Sequence, residues 1–153
     1  MASNRDSEQT SPAVVLLAED DDEDIYLIKR AFKEARLQPD LHVVRNGEAA
    51  LQYLRKEGEF GGGDNSPRPD LILLDLKMPK LDGREALRAI KDDPDLKKVP
   101  VVVLTTSDSL SDMSYCYEQG AASYITKPPD FDAFVSTLQQ LGSYWFNLVA
   151  IPR

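Results

Sequence analysis

Short apolar runs alternate with amphipathic stretches along most of the chain. Several of the runs are apolar almost throughout, which is typical of strands buried on both faces of a parallel sheet. The runs are Val14–Ala18, Leu41–Val44, Leu71–Leu74, Val101–Leu104 and Ala122–Thr126.

Between these runs, apolar residues recur at the three- and four-residue spacing of amphipathic helices. The clearest stripe is Phe131, Phe134, Val135, Leu138 and Leu141. Weaker stripes begin at Ile25, Ala49 and Ala86. Strict alternation of the two patterns predicts an α/β fold with five parallel strands, covered on both faces by five helices.

The ends of the chain differ from its middle. Residues 1–12 are polar and aperiodic and predict a disordered tail, whereas residues 13–142 carry the alternating pattern of one domain. Residues 143–153 form an apolar extension that either folds back or serves self-association. We favour a homodimer through the last helix and this extension, because Trp and Tyr are common interface anchors. Residues 61–69 read as a flexible surface insertion without chemistry of its own.

Composition and charge narrow the class of protein. The 153 residues suit one domain, and 42% hydrophobic and 29% charged residues are ordinary for a globular chain. A net charge of -8 argues against a nucleic-acid surface, and no apolar run approaches the roughly 20 residues that span a bilayer. The single Cys116 suits a reducing, cytoplasmic setting. With a single histidine, His42, and no ATP-binding signature, the chain is not a histidine kinase.

Polar residues that could bind a metal or take part in a reaction stand at the ends of the predicted strands. The first strand runs into an unbroken series of acids, Glu19 to Asp24, and the third ends at Asp75. The fourth ends at Thr105-Thr106, and the fifth runs into Lys127. Because ligands bind beyond the carboxyl ends of parallel strands, these side chains are expected to converge on one edge of the sheet.

This set of residue types suits phosphoryl chemistry. Clustered carboxylates at Glu19, Asp20 and Asp75 ionise cheaply only around a cation, and their oxygens suit Mg²⁺. Asp75 is the natural nucleophile, with Lys127 and the Thr105 hydroxyl stabilising charge on the phosphoryl oxygens. The simpler alternatives are a helix start for the two neighbouring acids and a backbone-bonded acid at Asp75.

Four motifs in order resemble the receiver domains of bacterial two-component response regulators, over roughly residues 13–142. The motifs are Leu17-Ala18-Glu19-Asp20, Asp70–Pro79 with Leu81-Asp82-Gly83, Val101–Thr105, and Gly120–Pro128. The resemblance implies a flavodoxin-like fold with strand order 2-1-3-4-5.

The resemblance also implies a phosphoacceptor and a metal site. Asp75 would take a phosphoryl group from a phosphohistidine on a sensor histidine kinase. Asp20, Asp75 and the backbone carbonyl of Lys77 would ligate Mg²⁺, with Glu19 assisting through water. The remaining acids, Asp21 to Asp24, would then open the first helix, where they favour its positive end.

A switch is implied as well. Thr105 and Lys127 would contact the phosphoryl group, and Tyr124 matches an aromatic residue that turns inward with the threonine hydroxyl. The bond between Lys127 and Pro128 matches a cis peptide. Phosphorylation would then alter the face built by the fourth helix, fifth strand and fifth helix, and so change binding to another protein.

Finer features resemble small stand-alone regulators that serve bacterial phytochromes. These are Tyr144-Trp145, Arg84–Leu87 and Leu104–Ser107. Two alternatives stay open: a receiver-like module that binds partners without phosphorylation, and a Mg²⁺-dependent phosphohydrolase of the haloacid-dehalogenase type. The second is disfavoured because Lys77 stands where that enzyme class has another acid.

Overall fold

The computed structural model describes residues 12–62 and 65–149, with side chains as far as residue 143. All but the last residue of the predicted tail at 1–12 lies outside this part of the chain. The side chains of the C-terminal extension beyond Ser143 also lie outside it, so the proposed dimer surface stays a prediction.

Five parallel strands form one sheet in the order β2-β1-β3-β4-β5, which confirms the predicted topology. The strands are β1 (Val14–Ala18), β2 (Asp40–Val44), β3 (Leu71–Leu74), β4 (Val101–Thr105) and β5 (Ser123–Thr126). Every residue of the central β3 is fully buried, as its uninterrupted apolar sequence requires.

Five α-helices connect or follow the strands within the described ranges. They are α1 (Asp22–Glu34), α2 (Gly47–Arg55), α3 (Gly83–Asp92), α4 (Leu110–Glu118) and α5 (Phe131–Val149), with short 3-10 turns at Gly58–Phe60 and Leu96–Lys98. None of the helices in this part of the chain combines the length and hydropathy needed to cross a membrane.

The sheet separates two apolar cores because successive strand residues point to opposite faces. On one face Leu16 and Ile72 pack with residues of α2, α3 and α4. On the other face Leu17 and Leu73 pack with residues of α1 and α5. The sheet is therefore covered on both sides, and its carboxyl edge is held rigidly between the two layers.

The start of α1 accounts for part of the acid run. The side chain of Asp21 caps the helix by accepting hydrogen bonds from the backbone amides of Glu23 and Asp24, at 2.8 and 3.1 Å. Acids in this first turn also favour the positive end of the helix dipole. The expectation that Asp21 to Asp24 open the first helix is thus met, with Asp21 as the capping residue.

The loop before β3 is better anchored than its composition predicts. The ammonium of Lys56 donates a hydrogen bond to the carbonyl oxygen of Ser66 at 2.5 Å. The hydroxyl of Tyr53 donates one to the carbonyl oxygen of Pro67 at 2.8 Å. Ser66 itself is buried. The interpretation as a flexible insertion is therefore wrong for this end of the loop, while residues 63 and 64 lie outside the described part.

Candidate functional site

Strand register brings the predicted site residues to one edge. Ala18 pairs with Leu74, so Glu19 and Asp75, the residues that follow them, leave the sheet side by side. The backbone amide of Asp75 donates to the carbonyl oxygen of Ala18 at 3.0 Å. On the other side, the amide of Lys127 donates to the carbonyl oxygen of Thr105 at 2.7 Å, which fixes where the lysine leaves β5.

The three strand-end acids form a tight cluster. Ligand atoms of Glu19, Asp20 and Asp75 all lie within 4.8 Å of one another. Glu19 and Asp75 are buried, whereas Asp20 faces solvent and leaves an entry path. Because hard divalent cations prefer carboxylate oxygens, this donor set fits such an ion. The predicted contribution of the Lys77 carbonyl stays a prediction; its backbone amide donates to Asp75 Oδ1 at 3.3 Å.

Lys127 reaches into the same cluster with a side chain that is only 8% exposed. Its Nζ lies 2.5 Å from Glu19 Oε1, 2.9 Å from Asp24 Oδ2 and 3.5 Å from Asp75 Oδ2. The side chain of Lys127 thus approaches Asp75, and the predicted convergence of these two residues is observed. Asp24 in this arrangement was not predicted, because its position reads simply as part of a helix start.

The peptide bond between Lys127 and Pro128 is trans, as are the other peptide bonds of the described chain. The expectation of a cis bond is therefore wrong for this structure. The trans form of such a bond is ordinarily favoured by about 0.5–1 kcal/mol. The ammonium of Lys127 reaches the acids with the trans bond in place.

Burial and neighbouring charges shift the pKa values of Glu19 and Lys127, and both values are raised. The pKa of Glu19 is raised from 4.5 to about 7, because burial and the charge of Asp75 outweigh the opposing hydrogen bond and charge of Lys127. Burial alone would lower the pKa of Lys127, but its bonds to Glu19 and Asp24 and the charge of Asp75 raise it overall. Glu19 and Lys127 therefore hold their protons more tightly than they would in water.

The cluster opens into a cleft of about 550 Å³. The lining residues are Glu19, Asp20, Asp21, Asp22, Asp24, Asp75, Lys77, Thr106 and Lys127. The Nζ of Lys77 donates to the Thr106 hydroxyl at 3.4 Å across this cleft. The site is strongly acidic and open to water, which suits a solvated cation and a small charged group more than an apolar ligand.

Thr105 and Tyr124 meet at the loop that follows β4. Thr105 is fully buried, and its hydroxyl oxygen accepts a hydrogen bond from the amide of Ser107 at 3.4 Å. The Tyr124 hydroxyl donates to the Ser107 carbonyl oxygen at 2.9 Å. Thr106, rather than Thr105, lines the cleft, so contact of Thr105 with a phosphoryl group stays a prediction.

A glycine supports the turn that follows Asp75. The amide of Gly83 donates to the carbonyl oxygen of Leu76 at 2.9 Å. A Cβ at Gly83 would lie only 2.1 Å from the carbonyl oxygen of Asp75 and 2.6 Å from Leu76 Cα. Only glycine therefore fits where α3 begins, and the contact holds the backbone of Asp75 in place.

An aspartate at the tip of the central strand, flanked by two acids and a buried lysine in a 2-1-3-4-5 sheet, defines a phosphoacceptor domain of the two-component type. Residues 15–139 match the response regulator receiver domain, so the chain belongs to this family. It is homologous to single-domain response regulators, a family that signals through phosphorylated aspartate.

Individual relatives resemble almost the whole chain. Response regulator Rcp1 of Synechocystis sp. is 42% identical over 145 residues, which cover 95% of this chain and 97% of Rcp1. The Mn²⁺-bound form of Rcp1 has a TM-score of 0.82, covering 93% of this chain and 100% of that structure. The phosphorylated cyanobacterial phytochrome response regulator RcpA is 40% identical with a TM-score of 0.82, covering 90% of this chain and 96% of RcpA.

Proposed function

We propose that Asp75 is the phosphoacceptor and that it takes its phosphoryl group from a phosphohistidine on a sensor histidine kinase. The observation that carries this proposal is the placement of Asp75 within 4.8 Å of two further carboxylates and 3.5 Å from the buried ammonium of Lys127. No other part of the sheet edge brings a nucleophile, a candidate cation site and a fixed positive charge together within the described residues.

The transfer is a displacement at phosphorus. A carboxylate oxygen of Asp75 forms the new bond to phosphorus while the bond to the imidazole nitrogen of the donor breaks, and the electron pair stays on the imidazole. Lys127 offsets negative charge on the phosphoryl oxygens.

The proposed cation is Mg²⁺, held by Glu19, Asp20, Asp75 and the backbone carbonyl of Lys77. A bound divalent ion would neutralise charge on the transferring oxygens. The Mn²⁺-bound form of the relative Rcp1 supports a divalent cation in this chain, and the oxygen donor set supports Mg²⁺.

Thr105 and Tyr124 are proposed to report the phosphorylation to the surface. The Thr105 hydroxyl now accepts a hydrogen bond from the Ser107 amide, and its movement toward a phosphoryl group would break that bond. Tyr124 would respond because its hydroxyl donates a hydrogen bond to the Ser107 carbonyl oxygen. The shift would reach the face of α4, β5 and α5, where Leu110 is 78% exposed. An unidentified downstream protein would bind this face, which is a population shift driven by a local charge.

The kinase is proposed to be of the bacterial phytochrome type, since the relative RcpA is a phytochrome response regulator. Receiver domains are generally not enzymes, and the chemistry proposed is confined to phosphorylation and dephosphorylation of the chain itself. A cytoplasmic setting is supported by the free, buried Cys116. Homodimerisation through α5 and the extension belongs to this proposal as well.

Intact-mass measurement after incubation with Mg²⁺ and acetyl phosphate tests the central proposal. The wild type is expected to gain one phosphoryl group, Asp75→Asn none, and prior addition of a chelator is expected to prevent the gain. Phosphoramidate and a phosphorylated phytochrome kinase are the further donors. Absence of any gain with all three would contradict phosphoacceptance and favour a module that binds partners without phosphorylation.

A further inference from the structure

Asp24 takes part in the site although it lies outside the three-acid cluster. It occupies the first turn of α1, where an acid is already favoured by the helix dipole. That local role does not require contact with the far end of the chain. Yet its Oδ2 accepts a hydrogen bond from Lys127 Nζ at 2.9 Å, across 103 positions of sequence.

The two hydrogen bonds of the Lys127 ammonium go to Glu19 and Asp24 and not to the proposed phosphoacceptor. Asp75 Oδ2 lies 3.5 Å from the same nitrogen, as an ion pair. A phosphoryl group on Asp75 would therefore draw on an ammonium that two other carboxylates already hold. The carboxylates of Glu19 and Asp75 are ligand candidates for the cation, whereas Asp24 is not among the clustered acids.

Asp24 is also the contact most easily exchanged. Its side chain is 32% exposed, against 1% for Glu19 and 9% for Asp75. Water can replace the lysine at Asp24 at little cost, whereas the buried Glu19 would lose its charged partner and keep only the Asp21 amide, at 3.2 Å.

We propose that Asp24 is a positioning residue for Lys127: it holds the ammonium in the unphosphorylated protein and competes for it with the phosphoryl oxygens. The inference rests on the proposed role of Asp75. It predicts two effects of opposite sign. Without the charge of Asp24, a phosphoryl group binds more tightly, and the cation binds more weakly because Lys127 then turns fully to Glu19 and Asp75.

The test compares Asp24→Asn with Asp22→Asn in the full chain. Asp22 is the matched control, because it lies in the same helical turn, carries the same charge, lines the same cleft and pairs with Arg45 instead of Lys127. The probes are Mg²⁺ alone and beryllofluoride, a phosphoryl mimic, at saturating Mg²⁺. Asp24→Asn is expected to bind beryllofluoride about three- to tenfold more tightly, as the loss of one competing charge-assisted hydrogen bond implies.

The same variant is expected to bind Mg²⁺ about threefold more weakly, while Asp22→Asn changes neither constant by more than about twofold. Asp24→Glu, which keeps a carboxylate, is expected to restore wild-type values. An acid that served only the helix start would alter stability alone. Equal effects of Asp24→Asn and Asp22→Asn, or weaker beryllofluoride binding by Asp24→Asn, would overturn the inference.

A ligand-free measurement separates this inference from the proposed function. In ¹H–¹⁵N spectra of lysine ammonium groups, the protons of Lys127, assigned through Lys127→Arg, are expected to exchange faster in Asp24→Asn than in Asp22→Asn. If the wild type fails to bind beryllofluoride, the proposed function is contradicted, and these spectra still decide whether Asp24 holds Lys127. Unchanged exchange in Asp24→Asn would contradict the contact itself.

Discussion

The hydroxyl of Tyr124 donates a hydrogen bond to the carbonyl oxygen of Ser107, whose amide in turn donates to the hydroxyl oxygen of Thr105. One residue therefore joins the buried threonine of β4 to the aromatic side chain of β5. These two hydrogen bonds connect the end of β4 to β5, which forms one face of the protein together with α4. A displacement of Thr105 would therefore reach Tyr124 through the backbone of a single residue, Ser107.

Replacing Tyr124 by Phe removes this bond and keeps the ring. We expect the free energy of unfolding to fall by about 0.5–1.5 kcal/mol, the usual net value of one hydrogen bond. Urea titration measures the change. Tyr26→Phe is the control, because Tyr26 is 61% exposed. Equal stability of the two variants would show that the Tyr124 bond adds nothing.

The backbone contact between Gly83 and Asp75 gives a second prediction. Gly83→Ala forces a Cβ to within 2.1 Å of the Asp75 carbonyl oxygen, so the turn must move. We expect a loss of about 1–3 kcal/mol in stability, as for other overpacked sites. Phosphorylation of Asp75 by acetyl phosphate is expected to slow in parallel.

Gly62→Ala is the matched control for this change, since a Cβ at Gly62 meets no atom within 4 Å. It is expected to leave both unfolding and phosphorylation unchanged. If Gly83→Ala behaves in the same way as Gly62→Ala, the turn does not depend on the close approach.

Cation binding at the three-acid cluster gives a third prediction. Mg²⁺ is expected to raise the unfolding midpoint of the wild type, with a gain of about 2.7 kcal/mol at a hundredfold excess over the dissociation constant. Asp20→Asn is expected to lose most of this gain, because Asp20 is the solvent-facing member of the cluster. Asp22→Asn should keep it. Retention of the full gain by Asp20→Asn in thermal melts would place the cation elsewhere.

The buried thiol of Cys116 gives a pH-dependent prediction. Burial, aided by the charge of Asp112, raises the pKa of Cys116 from 9.0 to about 11. At pH 8 the folded protein thus holds about a hundredfold less thiolate than the unfolded chain, and alkylation by iodoacetamide should slow at least as much. Mass spectrometry with and without denaturant measures the two rates.

The sign of the linked stability change follows from the same shift. Between about pH 9 and 11 the unfolded chain loses the thiol proton that the folded state keeps, so stability falls as pH rises through this range. Cys116→Ser provides the comparison, because its hydroxyl does not titrate there. A Cys116 protein that is alkylated equally fast when folded and unfolded would contradict the burial of the thiol.

Hydrophobic periodicity predicted most of the fold because the sheet is central and fully covered. The bounds of β1 and β3 agree with the apolar runs, while β4 extends by one residue to Thr105 and β5 begins at Ser123. Helix α4 gave no apolar stripe, since Cys116 is its single buried residue. Its position is set by the neighbouring strands and by its Ser109 cap, which a periodicity search does not detect.

Strand-end reasoning predicted the gathering of Glu19, Asp20, Asp75 and Lys127, because parallel strands deliver their carboxyl ends to one edge. It did not predict Asp24 in the cleft, and it assigned the hydroxyl of the site to Thr105, whereas the neighbouring Thr106 lines the cleft. The local sequence places Asp24 in a helix start and Thr106 next to the favoured Thr105. The position of each side chain in the cleft depends on the tertiary fold. The anchoring of Ser66 by Lys56 was missed for the same reason, since a Gly- and Pro-rich sequence indicates a loop without indicating what holds it.

The ammonium of Lys127 gives the acid cluster a counterion that is covalently part of the chain. A site neutralised only by a bound metal would tie folding to the supply of that metal, as in small zinc domains. Here the positive charge belongs to a side chain of the protein, and it lies within 3.5 Å of Glu19 and Asp75. We therefore expect the chain to fold without a bound cation, so that cation supply controls the proposed phosphorylation and not the formation of the fold.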